Sequence, residues 1–127
     1  MRLLDNKELA LRWNEISPKV QEALDHGIGE CSAHDLFIEC MSSNAQCWEH
    51  EGCIGITRFN HFPQYKQLQI VTVTGNDFIR KFPELLEMIE EFAEKTGCRN
   101  VSIWGRPGWR RLLQEYSDPY TVLIKEL

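Results

Sequence analysis

A chain of 127 residues, 43% hydrophobic and 26% charged, is the size of one domain and balanced to bury a core. Its net charge of −5 argues against a dedicated nucleic-acid binder, which needs a surplus of Lys and Arg against phosphate. No apolar run approaches the ~18 residues of a membrane span, and Met1-Arg2-Leu3-Leu4-Asp5 lacks the apolar stretch of a secretion signal. A cytoplasmic protein, or one delivered by some other particle, is expected.

Residues 2–4 read as a short first strand. Asp5 or Asn6 caps a predicted helix over 7–16, with Leu9, Leu11, Trp13 and Ile16 as its apolar members. Ser17 and Pro18 open a second predicted helix, as cap and first helical residue, which closes near His26-Gly27. Ser32 caps a third piece, where His34, Phe37, Ile38 and Met41 recur at three and four. Ser42-Ser43-Asn44 ends it.

The period then changes to two. Residues 47–51 and 53–59 are predicted strands joined at Glu51-Gly52, and 60–66 a loop carrying Pro63. Lys66–Thr74 is a further strand. Leu68, Ile70, Thr72 and Thr74 alternate with Gln67, Gln69, Val71 and Val73, and the β-branched run 70–74 suits a central position. Gly75-Asn76-Asp77 breaks it. Pro83 starts or kinks a long helix that ends at about Lys95. Phe82, Leu85, Leu86, Ile89, Phe92 and Ala93 form one stripe, opposite a solvated face of Glu84, Glu87, Glu90, Glu91 and Glu94. Leu86, Ile89 and Phe92 are therefore expected in the core. Val101–Trp104 is a strand, Gly105–Gly108 a turn, Trp109–Tyr116 a helix and Tyr120–Lys125 a final strand. The connection 75–100 is long enough to carry a parallel crossover from Lys66–Thr74 to Val101–Trp104.

The five cysteines, Cys31, Cys40, Cys47, Cys53 and Cys98, read as free thiols of a reducing compartment. Cys47, His50 and Cys53, with Cys31-x-x-His34 upstream, have spacings that zinc sites use. On a hairpin, however, Cys47 and Glu49 face one way and Trp48 and His50 the other, so no bound metal is expected.

The order of elements resembles the GNAT acetyltransferase superfamily over nearly the whole chain. That order is a strand, helices, an antiparallel meander, then strand–helix–strand–helix–strand. Detail is confined to 68–118. There Phe92-Ala93-Glu94-Lys95-Thr96-Gly97-Cys98, followed by Val101-Ser102-Ile103-Trp104-Gly105-Arg106-Pro107-Gly108-Trp109, resembles a branch of small GNAT-like proteins of tailed bacteriophages. The resemblance implies a single α/β domain, with a mixed, mostly antiparallel sheet and a central parallel strand–helix–strand crossover. It also implies that the fourth and fifth strands splay. The backbone of Val71 and Val73 would then pair with the pantetheine of acyl-CoA, and Gly75 and Asn76 would lie in the loop beneath its pyrophosphate.

The chain departs from that family in two ways. The family's loop reads Gln/Arg-x-x-Gly-x-Gly/Ala, crowding backbone N–H groups around phosphate. Here Thr74-Gly75-Asn76-Asp77-Phe78-Ile79-Arg80 keeps one glycine and sets the Asp77 carboxylate where two phosphates would sit, with Arg80 or Lys81 as partial compensation. Leu113 takes the place of the Tyr that protonates the leaving thiolate in many members, and Tyr116 lies almost a turn further on. Lys66–Thr74 holds no Asp, Glu or His to act as base. Glu49, His50 and His61 are the alternatives, although a lone His near a strand end is more often a surface residue.

Arg106, Arg110 and Arg111 surround Trp109. They could form a phosphate patch with Trp104 and Trp109 as stacking platforms, or a protein-binding hot spot. The plainer reading packs Trp109 into the core and pairs the arginines with the preceding helix's glutamates. Two functions stay open. The one expected is a non-catalytic GNAT-like phage protein without a cofactor, binding a virion or host protein, in the host cytoplasm or the virion. The other is an acetyl-CoA-dependent N-acetyltransferase with a degenerate loop. The expected reading carries acetyl-CoA binding no tighter than roughly 100 µM, about 5.5 kcal/mol.

Overall fold

The structure, a computed structural model, describes residues 2–105 and 108–127. In chain order the elements are β1 (Arg2–Leu3), α1 (Asn6–Leu24), α2 (Ala33–Met41), β2 (Ala45–His50), β3 (Cys53–His61), β4 (Lys66–Thr74), α3 (Phe78–Lys95), β5 (Asn100–Ile103) and α4 (Trp109–Leu112). The strands form one sheet in the order β1-β2-β3-β4-β5. All neighbours are antiparallel except β4 and β5, which run parallel from Gln67 beside Asn100 to Ile70 beside Ile103. This is the expected α/β architecture, with α3 as the crossover.

Two apolar layers sandwich the sheet. Leu9, Ile16 and Val20 of α1 and Leu36 of α2 pack with Cys47, Ile54 and Ile56 on one face. Phe82, Leu85 and Ile89 of α3 pack with Trp48, Leu68 and Ile70 on the other. Ile89 is buried as expected, whereas Leu86 and Phe92 are half-buried at the rim of that stripe. Phe92 still stacks on Phe59, with centroids 5.9 Å apart, and meets Trp48 edge-on at 5.2 Å.

Several boundaries differ from the sequence reading. The helices predicted at 7–16 and from Ser17 are one helix, capped by the Asp5 carboxylate, which accepts from the Glu8 N–H at 2.7 Å. Pro18 lies inside it, and the missing N–H is tolerated because Ile16 and Val20, on either side, are both buried against the sheet. α3 likewise starts at Phe78 and keeps Pro83 within it. The β2–β3 hairpin turns at Glu51 and Gly52, with φ of 49° and 82°, the left-handed pair that suits a two-residue turn. Its second strand runs on to His61.

The largest correction concerns the end of the chain. α4 is one turn, and Tyr120–Lys125 is not a strand. Every residue from Ser117 to Leu127 is exposed. A β-branched sequence favours extension but needs a neighbouring strand to bond to, and among the described residues it has none.

Candidate functional site

The site begins with a mismatch of strand lengths. β5 pairs with β4 only as far as Ile70 and Ile103, yet β4 continues to Thr74. On its other side β4 carries a bulge. Ile56 faces Thr72 and Thr57 faces Ile70, so Val71 is the extra residue. A bulge bends its strand and raises its twist. From Val71 to Thr74, β4 therefore has β3 on one side and, among the described residues, no strand on the other. The open cleft there is lined by Val71, Val73, Asn76, Ile103, Trp109 and Leu113 among others.

The bulge also overturns the predicted alternation. Val71 and Val73 were expected on one face. Instead Val71 leans against the α1 layer while Val73, 6% exposed, joins Leu68 and Ile70 under α3.

The loop after β4 is built around contacts within the protein. Gly75 lies at φ 121°, and a Cβ there would fall 2.9 Å from the Cα of Cys53 and against the carbonyl of Gly52. Its lack of a side chain serves the packing of the loop on the β2–β3 turn. Asn76 is exposed. Asp77, at φ 58°, precedes α3 without capping it; its carboxylate instead accepts from Arg80 Nε at 2.6 Å. Lys81 Nζ donates to the carbonyl of Glu51 at 2.6 Å. Both cations proposed as compensation are thus engaged within the chain, and Arg80 screens Asp77.

None of the three alternative acid–base residues lines the cleft. His50 is buried under α3, with Nε2 2.7 Å from Glu84 Oε2 and Nδ1 unpartnered. Glu49 receives two bonds from Arg12, at 2.8 and 2.6 Å, and a third from Arg2. The Arg12 guanidinium holds its carboxyl below the ordinary range. His61 is exposed and pairs with Asn44 Oδ1 at 3.2 Å. At the margin of the cleft Leu113 is buried, and the Tyr116 hydroxyl donates to Glu90 at 2.8 Å. Burial and that carboxylate push the Tyr116 phenol well above its usual range.

A polar floor went unnoticed in the sequence. Gln67 Oε1 accepts from Asn60 Nδ2 and Ser102 Oγ at 3.1 and 2.9 Å, and Gln67 Nε2 donates to Asn100 Oδ1 at 2.9 Å. Asn60 also donates to Gln69. The only signal was polar residues two apart in both parallel strands, and their meeting depends on strand register.

The cysteines are free. Cys47 lies in the α1 layer and Cys53 in the α3 layer, on opposite faces of the sheet. Burial pushes the thiols of Cys40 and Cys47 up to about 12. Among the described residues no three His, Cys, Asp or Glu side chains converge as a metal site. Trp109 packs on Phe82 at 5.3 Å and Phe78 at 6.1 Å. Arg110 pairs with Asp118 rather than with the α3 glutamates, and Arg106 lies outside the described residues. Trp104 is 58% exposed. No helix of the described residues is long and apolar enough to cross a membrane.

Known proteins resemble the chain in structure alone. No protein-family model and no curated protein matches its sequence. Among solved structures, a possible acetyltransferase from Clostridium difficile 630 superposes with a TM-score of 0.70 at 11% identity, covering 99% of this chain and 95% of that one. The ribosomal-protein-alanine N-acetyltransferase of Brucella melitensis biovar Abortus 2308 gives 0.67 at 10% identity, covering 99% and 98%. A GNAT family acetyltransferase from Staphylococcus aureus gives 0.63 at 14%, covering 99% and 96%. The chain has the GNAT acetyltransferase fold.

Proposed function

We propose that the chain is an acyl-CoA-dependent N-acyltransferase whose donor lies along the free edge of β4. The observation that carries this reading is the length of β4 beyond its last pair with β5. Backbone groups from Val71 to Thr74 face an open cleft, where an amide-bearing chain such as pantetheine can bond to them as an added strand does. Val71 and Val73 are the binding positions on the strand, and Gly75 and Asn76 border the place of the pyrophosphate. The fit is good along the strand and poorer at the loop. There the single glycine packs on a turn, and Asp77 adds a carboxylate.

A bound acyl-CoA supplies a thioester. Transfer would form an N–C bond to an amine and break the C–S bond, with CoA leaving as the thiolate and the amine proton passing to solvent, from which the thiolate is protonated. The chain's contribution is placement, since the Tyr116 hydroxyl is already hydrogen-bonded to Glu90 and Leu113 has no proton to offer. Titration calorimetry with acetyl-CoA, together with thiol release in the presence of amine acceptors, tests the reading. Heat at or above about 100 µM with slow thiol release is the expected result. No heat at millimolar acetyl-CoA would overturn it.

The second reading is a non-catalytic module that binds a virion or host protein, encoded by a phage. It is favoured by the exposed Trp104 beside a cleft margin at which Leu113 stands in the tyrosine position. Trp is the side chain that interfaces most often use as an anchor.

A further inference from the structure

Three residues separate the end of β4 from the start of α3. Gly75 is closed on the β2–β3 turn, where a Cβ would strike Gly52 and Cys53. Asn76 is exposed and neutral. Asp77 sets a carboxylate at the helix end, where the dipole favours negative charge, and Arg80 Nε bonds it at 2.6 Å. Phe78 turns inward onto Trp109, with centroids 6.1 Å apart. Two cations of the cleft lining stand on the adjoining elements, and both are engaged. Lys81 of α3 donates to the Glu51 carbonyl at 2.6 Å, and Arg110 of α4 pairs with Asp118 at 2.7 Å. A pyrophosphate laid here would meet one neutral amide, one carboxylate and the N–H groups of a helix end that already carries an anion.

The strand edge is the opposite case. From Val71 to Thr74, β4 has no strand beside it on the cleft side among the described residues. Alternate residues of such an edge turn both N–H and C=O outward. Pantetheine is an uncharged chain of amides and methylenes, so it can bond to that edge as a strand does. Val73, Ile103, Trp109 and Leu113 give the same cleft apolar walls. A ligand gains affinity only from groups that the protein complements, and a like charge set beside Asp77 opposes binding.

We propose that the chain recognises its donor through the acyl-pantetheine arm alone, and that the nucleotide end of CoA adds no affinity. The inference rests on the acyltransferase reading and names the donor class of that site. The donor is an acyl-pantetheine thioester, whatever is joined to the far end of the arm.

Titration calorimetry of the full chain with acetyl-pantetheine and with acetyl-CoA tests it. Acetyl-CoA should bind no tighter than acetyl-pantetheine by more than about threefold. The nucleotide end by itself, ADP phosphorylated on its ribose, should give no heat and should not displace acetyl-pantetheine. Added salt should leave the acetyl-CoA affinity level or raise it, since it screens repulsion from Asp77. A preference for acetyl-CoA beyond about threefold would overturn the proposal and leave the acyltransferase reading standing. So would displacement by the nucleotide, or an acetyl-CoA affinity that falls as salt is added. No heat from either thioester at millimolar concentration would overturn both.

Discussion

Gly75 and Gly52 are in backbone contact: the loop that ends β4 rests on the turn of the β2–β3 hairpin, and no Cβ fits between them. At φ 121° the position is also strained for any side chain. Gly75→Ala should therefore cost about 2–4 kcal/mol, read from the urea midpoint, while Asn76→Ala at the exposed neighbour stays within about 0.5 kcal/mol. Equal midpoints for the two variants would mean that the loop and turn are not packed together.

Asp77 combines a left-handed backbone with an exposed carboxylate bonded to Arg80, and it lies between Asn76 and Phe78 of the cleft lining. Asp77→Gly removes the charge and relieves the backbone. The dissociation constant for acetyl-CoA should fall several-fold by calorimetry, with a stability gain of about 0.5–1 kcal/mol. Asp77→Asn separates the two effects, because Asn tolerates the same φ and has no charge. Unchanged affinity in both variants would mean that Arg80 already neutralises the site.

Phe92 was expected in the core and stands at its rim, stacked on Phe59 and edge-on to Trp48. Truncation of a fully buried Phe costs about 3–5 kcal/mol, and a half-buried ring should cost less, about 2–3 kcal/mol for Phe92→Ala. Ile89→Ala, at a position fully enclosed between α3 and the sheet, should reach the 2–5 kcal/mol range. Chemical denaturation of both variants ranks the two positions.

The Glu49 carboxylate ties α1 to the sheet through Arg12, and its folded pKa is depressed below 4.5 by that guanidinium. A depressed carboxyl pKa adds stability above the unfolded value and loses it as pH falls through the folded one. Glu49→Gln should thus cost about 1–3 kcal/mol at pH 7, and its deficit should close as pH drops below 4.5. Melting temperatures at pH 7 and pH 3 give the comparison, and a constant deficit would assign the loss to packing.

Local pattern determined a good deal here. The α3 stripe from Phe82 to Ala93, the β-branched strand ending at Thr74, the turn at Glu51-Gly52 and the crossover between parallel strands were legible, because periodicity and turn chemistry act over a few residues. The site residues were named from a resemblance, and their surroundings came only with the tertiary structure. Nothing in Ile70-Val71-Thr72 marks Val71 as the bulged residue; the register against Ile56 and Thr57 does. Gly75 reads as a phosphate-loop glycine in the sequence, and only the fold adds that the hairpin turn packs against it. Pro18 reads locally as a helix start, and burial of Ile16 and Val20 on one sheet overrode it. Tyr120–Lys125 has every local mark of a strand, but a strand exists only when another edge bonds to it, and no single segment encodes its neighbour.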